Sequence, residues 1–244
     1  MVYVLSDIHG NERRFNSIME QINLREEDTL YILGDVIDRH PGGIRILQQI
    51  MKMSNVHMLL GNHEHMMLRA LGYPYDADDV MSTFDVQQAQ MLWHQNGGAV
   101  THRAWVRLRE NQRNEIIRYL RTLPLNIDIT VNEQPYKLVH GAPLEDYTRR
   151  SGFENGTLFS VWERLRKGDM DGRDYTLVFG HTPTDHYQRF HPMQVWKCGH
   201  GIGIDCGSGY PEAGRSGQIG RLACLRLDDE VVFYSNETAM TNSA

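Results

Sequence analysis

The chain has 244 residues, of which 41% are hydrophobic and 23% are charged. This length and composition predict one globular domain over residues 1–244 and exclude a disordered chain, while three cysteines exclude a disulfide-stapled scaffold. The formal net charge of −6 argues against a general affinity for nucleic acid or for an anionic membrane surface.

The first residues run directly into a strand-like segment, without a basic leader or a cleavage site. No apolar stretch approaches the roughly 18 residues that a membrane-spanning helix needs. The odd number of cysteines fits a reducing compartment. We therefore predict a cytoplasmic protein that does not enter the membrane.

Five short apolar runs each end in a small residue paired with an Asp, Asn or His. The small residue comes first in four of the runs, and the polar residue comes first in the run that ends at His140 and Gly141. They cover residues 2–7, 29–35, 56–62, 136–141 and 176–181, and their length and composition predict strands that are buried on both faces. Apolar residues with helical spacing lie between the first three runs, at Phe15–Ile22 and Ile44–Met51. This βαβαβ order predicts a parallel sheet, and ligands bind at the carboxyl ends of such strands.

The rest of the chain departs from this pattern. Residues 72–124 predict a helical insertion, with one helix near Ser82–His94 and an arginine-bearing helix that ends near Leu123. An antiparallel pair is expected at 126–131 and 135–140, and a hairpin at 222–227 and 230–235. The glycine-rich residues 197–220 are predicted to be largely loop, and residues 236–244 predict a flexible tail.

The polar residues that follow the strands form a set of metal ligands. The segments are SDIHG (6–10), GDVIDRH (34–40), GNHE (61–64), HG (140–141) and GH (180–181). Mixed nitrogen and oxygen ligands suit manganese, iron or zinc, and there are more of them than one ion needs. Two ions about 3.5–4 Å apart would lower the pKa of a bridging water, and the resulting hydroxide could attack phosphorus. Arg39 adds a planar donor group that matches phosphate oxygens.

These five segments, in this order, resemble the metallophosphatases of the phosphoprotein phosphatase family, within the calcineurin-like phosphoesterase superfamily. The continuation GNHEHMML and the segment VWERLRKG at 161–168 are most similar to its bacterial, phage lambda phosphatase-like branch. The resemblance covers roughly residues 2–227. It implies an α/β fold in which helices flank a two-sheet β-sandwich, with the helical insertion near the active site.

The resemblance also implies roles for individual residues. Two divalent ions, with manganese expected and iron or zinc as alternatives, would be bound by six residues: Asp7, His9, Asp35, Asn62, His140 and His181. Among these, Asp35 would bridge both ions.

Four further residues would carry the chemistry by the same resemblance. His63 would protonate the leaving oxygen, and Asp38 would orient its imidazole. Arg39 and Arg164 would hold the phosphoryl oxygens, although the alternative for Arg164 is a place on a solvated helix face. His40 stands where the family usually has glycine, which leaves its role open.

These observations predict a serine/threonine protein phosphatase, with tyrosine as a further target, that uses a metal-bridging hydroxide for in-line attack. Its partner would be a phosphorylated protein or a small phosphoester, and no partner subunit is inferred. The enzymatic alternative is a symmetrical hydrolase of dinucleoside polyphosphates, for which Tyr73, Tyr75 or Trp93 would stack on a base. An alternative of another class is a catalytically silent, metal-stabilised scaffold, which would not need His63 and Asp38.

One basic cluster in the insertion has two interpretations. Its members are Arg103, Arg107, Arg109, Arg113, Arg118 and Arg121. A solvated helix face is the simpler interpretation, and steering of phosphorylated substrates is the alternative.

Overall fold

Two five-stranded sheets form the centre of the fold in a computed structural model that describes residues 1–149, 152–210 and 220–236. The strands are β1 (Val2–Leu5), β2 (Thr29–Ile32), β3 (Val56–Met58), β4 (Asn126–Val131), β5 (Gln134–Val139), β6 (Thr176–Phe179), β7 (Trp196–Cys198), β8 (Gly201–Gly203), β9 (Ala223–Arg226) and β10 (Val232–Tyr234). The order is β10-β9-β1-β2-β3 in the first sheet and β4-β5-β6-β8-β7 in the second.

Helices flank the sheets. They are α1 (Glu12–Ile22), α2 (Gly43–Ile50), α3 (Asn62–Ala70), α4 (Thr83–Trp93), α5 (Ala99–Trp105), α6 (Glu110–Leu120) and α7 (Gly156–Trp162). Short 3-10 turns occupy Leu144–Arg149, Lys167–Met170 and Thr184–His186. The α/β sandwich flanked by helices confirms the predicted fold class. None of the helices in the described ranges combines the length and the apolar character needed to cross a bilayer.

The predicted βαβαβ start is confirmed, because β1, β2 and β3 pair in parallel. The antiparallel pair β4–β5 and the hairpin β9–β10 are also confirmed. In the second sheet β5, β6 and β8 are parallel to one another. Each sheet therefore has a parallel part whose strands end at a common edge, and this is where the sequence places its Asp, Asn and His residues.

Alternate residues of each central strand point into different apolar layers. Tyr3 and Leu5 pack with the helices, whereas Val4 packs between the two sheets with Val178 and Leu225. In the second sheet Phe179 packs on the outer face, in a cluster that includes Phe159 of α7. Burial on both faces explains why the strands read as continuous apolar runs.

The predicted helical insertion contains α4, α5 and α6, and Ser82 caps α4 by accepting a hydrogen bond from the Asp85 N–H. Between α4 and α5, residues His94–Gly98 form a wide turn in which Gly97 has φ +96°. This turn brings the insertion against the segment after β2, because Arg39 N–H donates to the Gly97 carbonyl at 3.2 Å.

One prediction for the glycine-rich region was wrong in part. Residues 196–203 form β7 and β8, an antiparallel pair at the edge of the second sheet, rather than a loop. A Cβ atom on Gly201 would lie 2.5 Å from Met170 Sδ, so glycine here permits close packing in a strand and does not mark a turn. Residues 204–210 lack regular strands, and residues 211–219 lie outside the described ranges. The predicted tail also lies outside them, except for Asn236, whose N–H donates to Ser17 Oγ at 2.9 Å.

Candidate metal centre

The predicted ligands come together from five strand ends. Residues after β1, β2 and β3 supply Asp7, His9, Asp35 and Asn62, and residues after β5 and β6 supply His140 and His181. All six are buried. The parallel parts of the two sheets therefore end at one shared site, which collects side chains that are up to 174 positions apart, as in the 3.0 Å hydrogen bond from His181 N–H to Asp7 Oδ2.

The potential donor atoms form two overlapping groups. His9, Asp35 and His63 make one group, Asp35, His140 and His181 make the other, and within each group the ligand atoms lie within 4.8 Å of one another. Asp35 belongs to both groups. This arrangement fits two neighbouring cations that share one carboxylate, since charge and donor type match a divalent ion at each position.

Asp7 and Asn62 add oxygen atoms to these groups. Asp7 Oδ1 lies 3.8 Å from His9 Nε2. Asn62 Oδ1 lies 2.9 Å from both His140 Nε2 and His181 Nδ1. Each cluster therefore contains carboxylate or amide oxygens together with imidazole nitrogens, the mixed set that the sequence predicted.

Hydrogen bonds on the far side of each ring fix which imidazole nitrogen faces the centre. The backbone carbonyls of Ile37, Leu33 and Trp162 lie 3.2 Å from His9 Nδ1, 2.6 Å from His140 Nδ1 and 3.1 Å from His181 Nε2, respectively. A carbonyl can only accept, so these nitrogens carry the proton and the opposite lone pairs face the site.

The charge states of two imidazoles also suit metal binding. Burial, helped by Arg39, holds the pKa of His9 well below its usual value. Burial and the neighbouring His140 do the same for the pKa of His181. Both rings are therefore neutral at neutral pH and offer a lone pair to a cation.

The site backbone is unusual. Six residues here have φ between +50° and +73°: Asp7, His9, Asp35, Asp38, Arg39 and His181. This left-handed region is uncommon for residues other than glycine, although Asp and His adopt it more readily than most. Its concentration at one site indicates that the surrounding structure holds these loops in a defined geometry.

Glu64 holds the loop after β2, a role that the sequence analysis missed. Its buried carboxylate accepts backbone hydrogen bonds at 2.8–3.2 Å from Asp35, Val36, Ile37 and Gly61. Burial and the Asp35 charge raise the pKa of Glu64 to about 7, whereas the four N–H donors favour the ionised form. The signal was present in the sequence, since Glu64 stands at the third position of α3, where a carboxylate can reach back to the start of the helix.

His63, Asp38 and Arg39 lie at the mouth of the centre. His63 Nδ1 is 2.7 Å from Asp38 Oδ2, and the other ring nitrogen, Nε2, is 3.8 Å from Asp35 Oδ2 and 3.3 Å from Arg39 Nη2. Burial lowers the pKa of His63, but the carboxylates of Asp35 and Asp38 outweigh this effect and raise it. The ring is therefore an imidazolium more readily than a free histidine, with one N–H directed toward the centre.

The two predicted phosphate-binding arginines are both exposed. Arg39 contacts the His63 ring as described, and Arg164 Nη1 donates to the His181 carbonyl at 3.5 Å. Arg164 therefore lies beside the second ligand group, in the segment between α7 and the turn Lys167–Met170. In the basic cluster of the insertion, five of the six arginines are exposed, and Arg113 is half-buried against the Trp105 ring.

Trp93, one of the candidates for base stacking, contacts the site directly. Its indole is fully buried, and its Nε1–H donates to Asp38 Oδ2 at 2.9 Å. Base stacking by Trp93 is therefore excluded by its burial. Tyr75 is engaged through a hydrogen bond to the Leu123 carbonyl, and Tyr73 is 43% exposed.

Thr101 and Asp205 also lie at the site, although the sequence did not predict a role for either residue. Thr101 Oγ1 accepts the Asp38 N–H at 3.0 Å, and Asp205 is a buried carboxylic acid whose pKa is raised well above its usual value by burial and by the nearby Asp7. Both lie in segments without a recognisable motif, the first in the insertion and the second after β8. Only the folded structure brings them to the strand ends.

The sequence model of the calcineurin-like phosphoesterase family matches residues 1–208. Among curated proteins, one named symmetrical bis(5'-nucleosyl)-tetraphosphatase, from Wigglesworthia glossinidia brevipalpis, is 39% identical over 64 residues, which are 25% of this chain and 24% of that protein. The enzyme of the same name from Pectobacterium atrosepticum is 33% identical over 64 residues, 25% and 23% of the two chains. The similarity therefore spans about a quarter of the length of each of these relatives.

Solved structures are similar over nearly the whole chain. A metallophosphoesterase from Sphaerobacter thermophilus has a TM-score of 0.56 at 16% identity, covering 98% of this chain and 88% of its own. A protein serine/threonine phosphatase from Saccharomyces cerevisiae has a TM-score of 0.56 at 11% identity, with coverages of 99% and 81%. A cold-active protein-tyrosine phosphatase of a Shewanella species has a TM-score of 0.51 at 18% identity, with coverages of 96% and 80%. At these identities the likeness establishes the fold alone.

Proposed function

The chain belongs to the calcineurin-like phosphoesterase family, and we propose that within this family it is a metal-dependent phosphatase that removes phosphate from serine and threonine side chains, with tyrosine as a further target. The observation that carries this proposal is the buried His63–Asp38 pair, in which the second ring nitrogen of His63 lies 3.8 Å from a carboxylate oxygen of the shared ligand Asp35. A protein phosphatase and a dinucleoside polyphosphate hydrolase differ in the group that leaves phosphorus. The basicity of this leaving group determines how much a proton donor accelerates the reaction.

In the proposed mechanism, Asp7, His9 and Asp35 would hold one divalent ion, and Asp35, Asn62, His140 and His181 would hold the other, with manganese as the expected metal. When bound, such a pair supplies a nucleophilic water at neutral pH and neutralises charge on the phosphoryl group. The side chains of the protein would orient the substrate and donate a proton to the leaving oxygen.

Arg39 would bind the phosphoryl oxygens, since its guanidinium is exposed and lies 3.3 Å from the ring nitrogen of His63. A planar guanidinium can donate two parallel hydrogen bonds to phosphate, which fixes the orientation of the group as well as its position. Arg164 approaches the centre from the His181 side and would provide a second, weaker contact.

His63 would protonate the leaving oxygen through Nε2, while Asp38 fixes the ring and stabilises its positive charge. An alkoxide from serine or threonine is a strong base, so its departure gains much from a proton. The diphosphate leaving group of a dinucleoside polyphosphate is a weak base and gains less. A buried, carboxylate-oriented imidazolium therefore favours a phosphate ester of an alcohol as substrate.

A second candidate is symmetrical hydrolysis of dinucleoside tetraphosphates, and the names of the two curated relatives favour it. Of the three aromatic residues considered for stacking on a base, Tyr73 is exposed, Tyr75 is half-buried and Trp93 is buried. The scaffold alternative leaves the His63–Asp38–Arg39 arrangement without a purpose.

The test compares both substrates with the same preparation. Protein loaded with manganese, and protein stripped by a chelator, are each incubated with phosphoserine and phosphothreonine peptides and with diadenosine tetraphosphate, and the products are identified. We expect metal-dependent release of inorganic phosphate from the peptides. Formation of ADP from the dinucleotide, with little turnover of peptides, would contradict the proposal and support the second candidate.

A further inference from the structure

The helical insertion forms hydrogen bonds with Asp38 and Arg39, the segment beside the predicted proton donor His63. Three hydrogen bonds make this contact: Trp93 Nε1–H donates to Asp38 Oδ2, Asp38 N–H donates to Thr101 Oγ1, and Arg39 N–H donates to the Gly97 carbonyl. Their lengths are 2.9, 3.0 and 3.2 Å. Within the described residues, therefore, the insertion supplies partners to both a side chain and the backbone of this segment.

The Asp38 carboxylate is held in an asymmetric way. Oδ2 accepts from both His63 Nδ1 and Trp93 Nε1, whereas Oδ1 is buried and has no hydrogen-bond partner among the described residues. A carboxylate with only the His63 contact could rotate and offer either oxygen. The second donor at Oδ2 fixes the rotation, and it therefore fixes the plane and position of the His63 ring.

The indole is itself held firmly. Trp93 is fully buried, and its ring packs so closely on Gly98 that a Cβ atom there would lie 2.4 Å from Trp93 Cδ1. The backbone at Asp38 and Arg39 has φ of +73° and +64°, a conformation that needs support from neighbouring groups. Thr101, which is 2% exposed, gives that support at the Asp38 N–H.

We propose that Trp93 and Thr101 of the insertion are positioning residues: their hydrogen bonds to Asp38 set the orientation of His63 for proton transfer to the leaving oxygen. This inference rests on the proposed function, since it assumes that His63 is the proton donor. It assigns to the insertion a part in the chemical step and not only in binding substrate.

Trp93→Phe tests this role, because it keeps an aromatic ring and removes the N–H donor. The substrates are aryl phosphates that differ in their leaving group, from p-nitrophenyl phosphate, which needs little protonation, to phenyl phosphate, which needs more. We expect kcat for phenyl phosphate to fall about tenfold and kcat for p-nitrophenyl phosphate to fall less than about threefold, with unchanged KM and metal content. The matched control is Trp105→Phe, a second buried tryptophan of the insertion, for which we expect no selective loss.

A double-mutant cycle with His63→Asn separates positioning from general damage. If Trp93 acts through His63, then Trp93→Phe has no further effect in the His63→Asn background. An equal loss with all leaving groups, an additive loss in the double variant, or full activity of Trp93→Phe would each overturn the proposal.

Thr101 provides a second test that holds even where Trp93→Phe does not fold. Thr101→Val removes the acceptor for Asp38 N–H at nearly constant volume, whereas Thr101→Ser retains it. We expect the selective loss with phenyl phosphate in Thr101→Val and its recovery in Thr101→Ser; equal behaviour of the two variants would overturn the proposal. Failure of the proposed function is distinguishable, since it is measured on the unaltered protein, which would then form ADP from diadenosine tetraphosphate with little turnover of phosphopeptides.

Discussion

His63 and Asp38 share a buried hydrogen bond of 2.7 Å between Nδ1 and Oδ2, and the opposite nitrogen of the His63 ring is directed toward Asp35. His63 directly follows Asn62, so one helix start presents both a predicted metal ligand and a predicted proton donor. The two roles can be separated by mutation, because the Asn62 side chain contacts His140 and His181, whereas the His63 ring is hydrogen-bonded to Asp38.

His63→Asn should retain bound metal and reduce turnover of phosphopeptides by roughly 10²-fold or more, the scale of general acid catalysis. Metal content is measured by atomic emission on the purified protein, together with kcat. His57→Asn, at an exposed histidine on β3, is the control and should behave like the unaltered protein. Full activity of His63→Asn would remove His63 from the mechanism.

Arg39→Ala should weaken inhibition by inorganic phosphate about tenfold or more, because it removes a charged hydrogen-bond donor to the phosphoryl oxygens. Arg164→Ala should have a smaller effect, since its guanidinium already donates to the His181 carbonyl. Arg166→Ala, an exposed neighbour, should leave inhibition unchanged. An Arg39→Ala variant with unaltered phosphate inhibition would show that Arg39 does not contact the phosphate.

Gly180 lies directly against the first ligand group. A Cβ atom on Gly180 would lie 2.0 Å from Ser6 Oγ and 2.4 Å from Asp7 Oδ2, so Gly180→Ala must displace the Asp7 carboxylate. We expect metal affinity to fall on the order of tenfold to a hundredfold, as for other changes that move a ligand through its neighbours. Gly168→Ala is the matched control, since a Cβ atom there would meet nothing within 4 Å. Equal manganese titration curves for the two variants would be inconsistent with Asp7 as a ligand.

His65 predicts a pH dependence of stability that is separate from metal binding. Burial, with a contribution from Arg69, lowers the pKa of His65 from 6.5 to about 4, so the unfolded chain binds a proton that the folded chain does not. The free energy of unfolding is therefore unaffected by His65 above pH 6.5. It decreases as the pH falls from 6.5 toward 4, by roughly 3 kcal/mol in total.

This decrease is measured by urea unfolding of chelator-treated protein at pH 7 and pH 5. His65→Gln removes the titrating group, so the free energy of unfolding of this variant should depend less on pH in that range. The same pH dependence in both proteins would mean that other groups cause it.

Much of this fold could be predicted from the sequence. The apolar runs at 2–7 and 29–35 form the parallel strands β1 and β2, in which alternate residues pack into two different apolar layers. Such strands have few polar interruptions, and this makes them recognisable in the sequence. Ligands bind at the carboxyl ends of parallel strands, and this rule predicted that the metal-ligand residues meet at one site. The short strands β7 and β8 were missed, since Gly201 and Gly203 suggest a turn when their packing partners are unknown.

The contacts of the insertion with the site could not be predicted in this way. Trp93 is 55 residues from Asp38, and a buried tryptophan gives no sequence signal for the partner of its N–H. Its helix, α4, is connected to α5 by a wide turn whose direction depends on Gly97 and Gly98. Tertiary packing, rather than local propensity, determines that the indole reaches the Asp38 carboxylate.

In the proposed mechanism, hydrolysis requires two ions that share Asp35 as a ligand. Metal-free protein is titrated with manganese while bound metal and phosphatase activity are followed together, for the unaltered chain, Asp35→Asn and Asp38→Asn. We expect activity to saturate at two ions per chain, Asp35→Asn to lose bound metal, and Asp38→Asn to bind two ions with low activity. Full activity without metal, or two tightly bound ions in Asp35→Asn, would contradict this account.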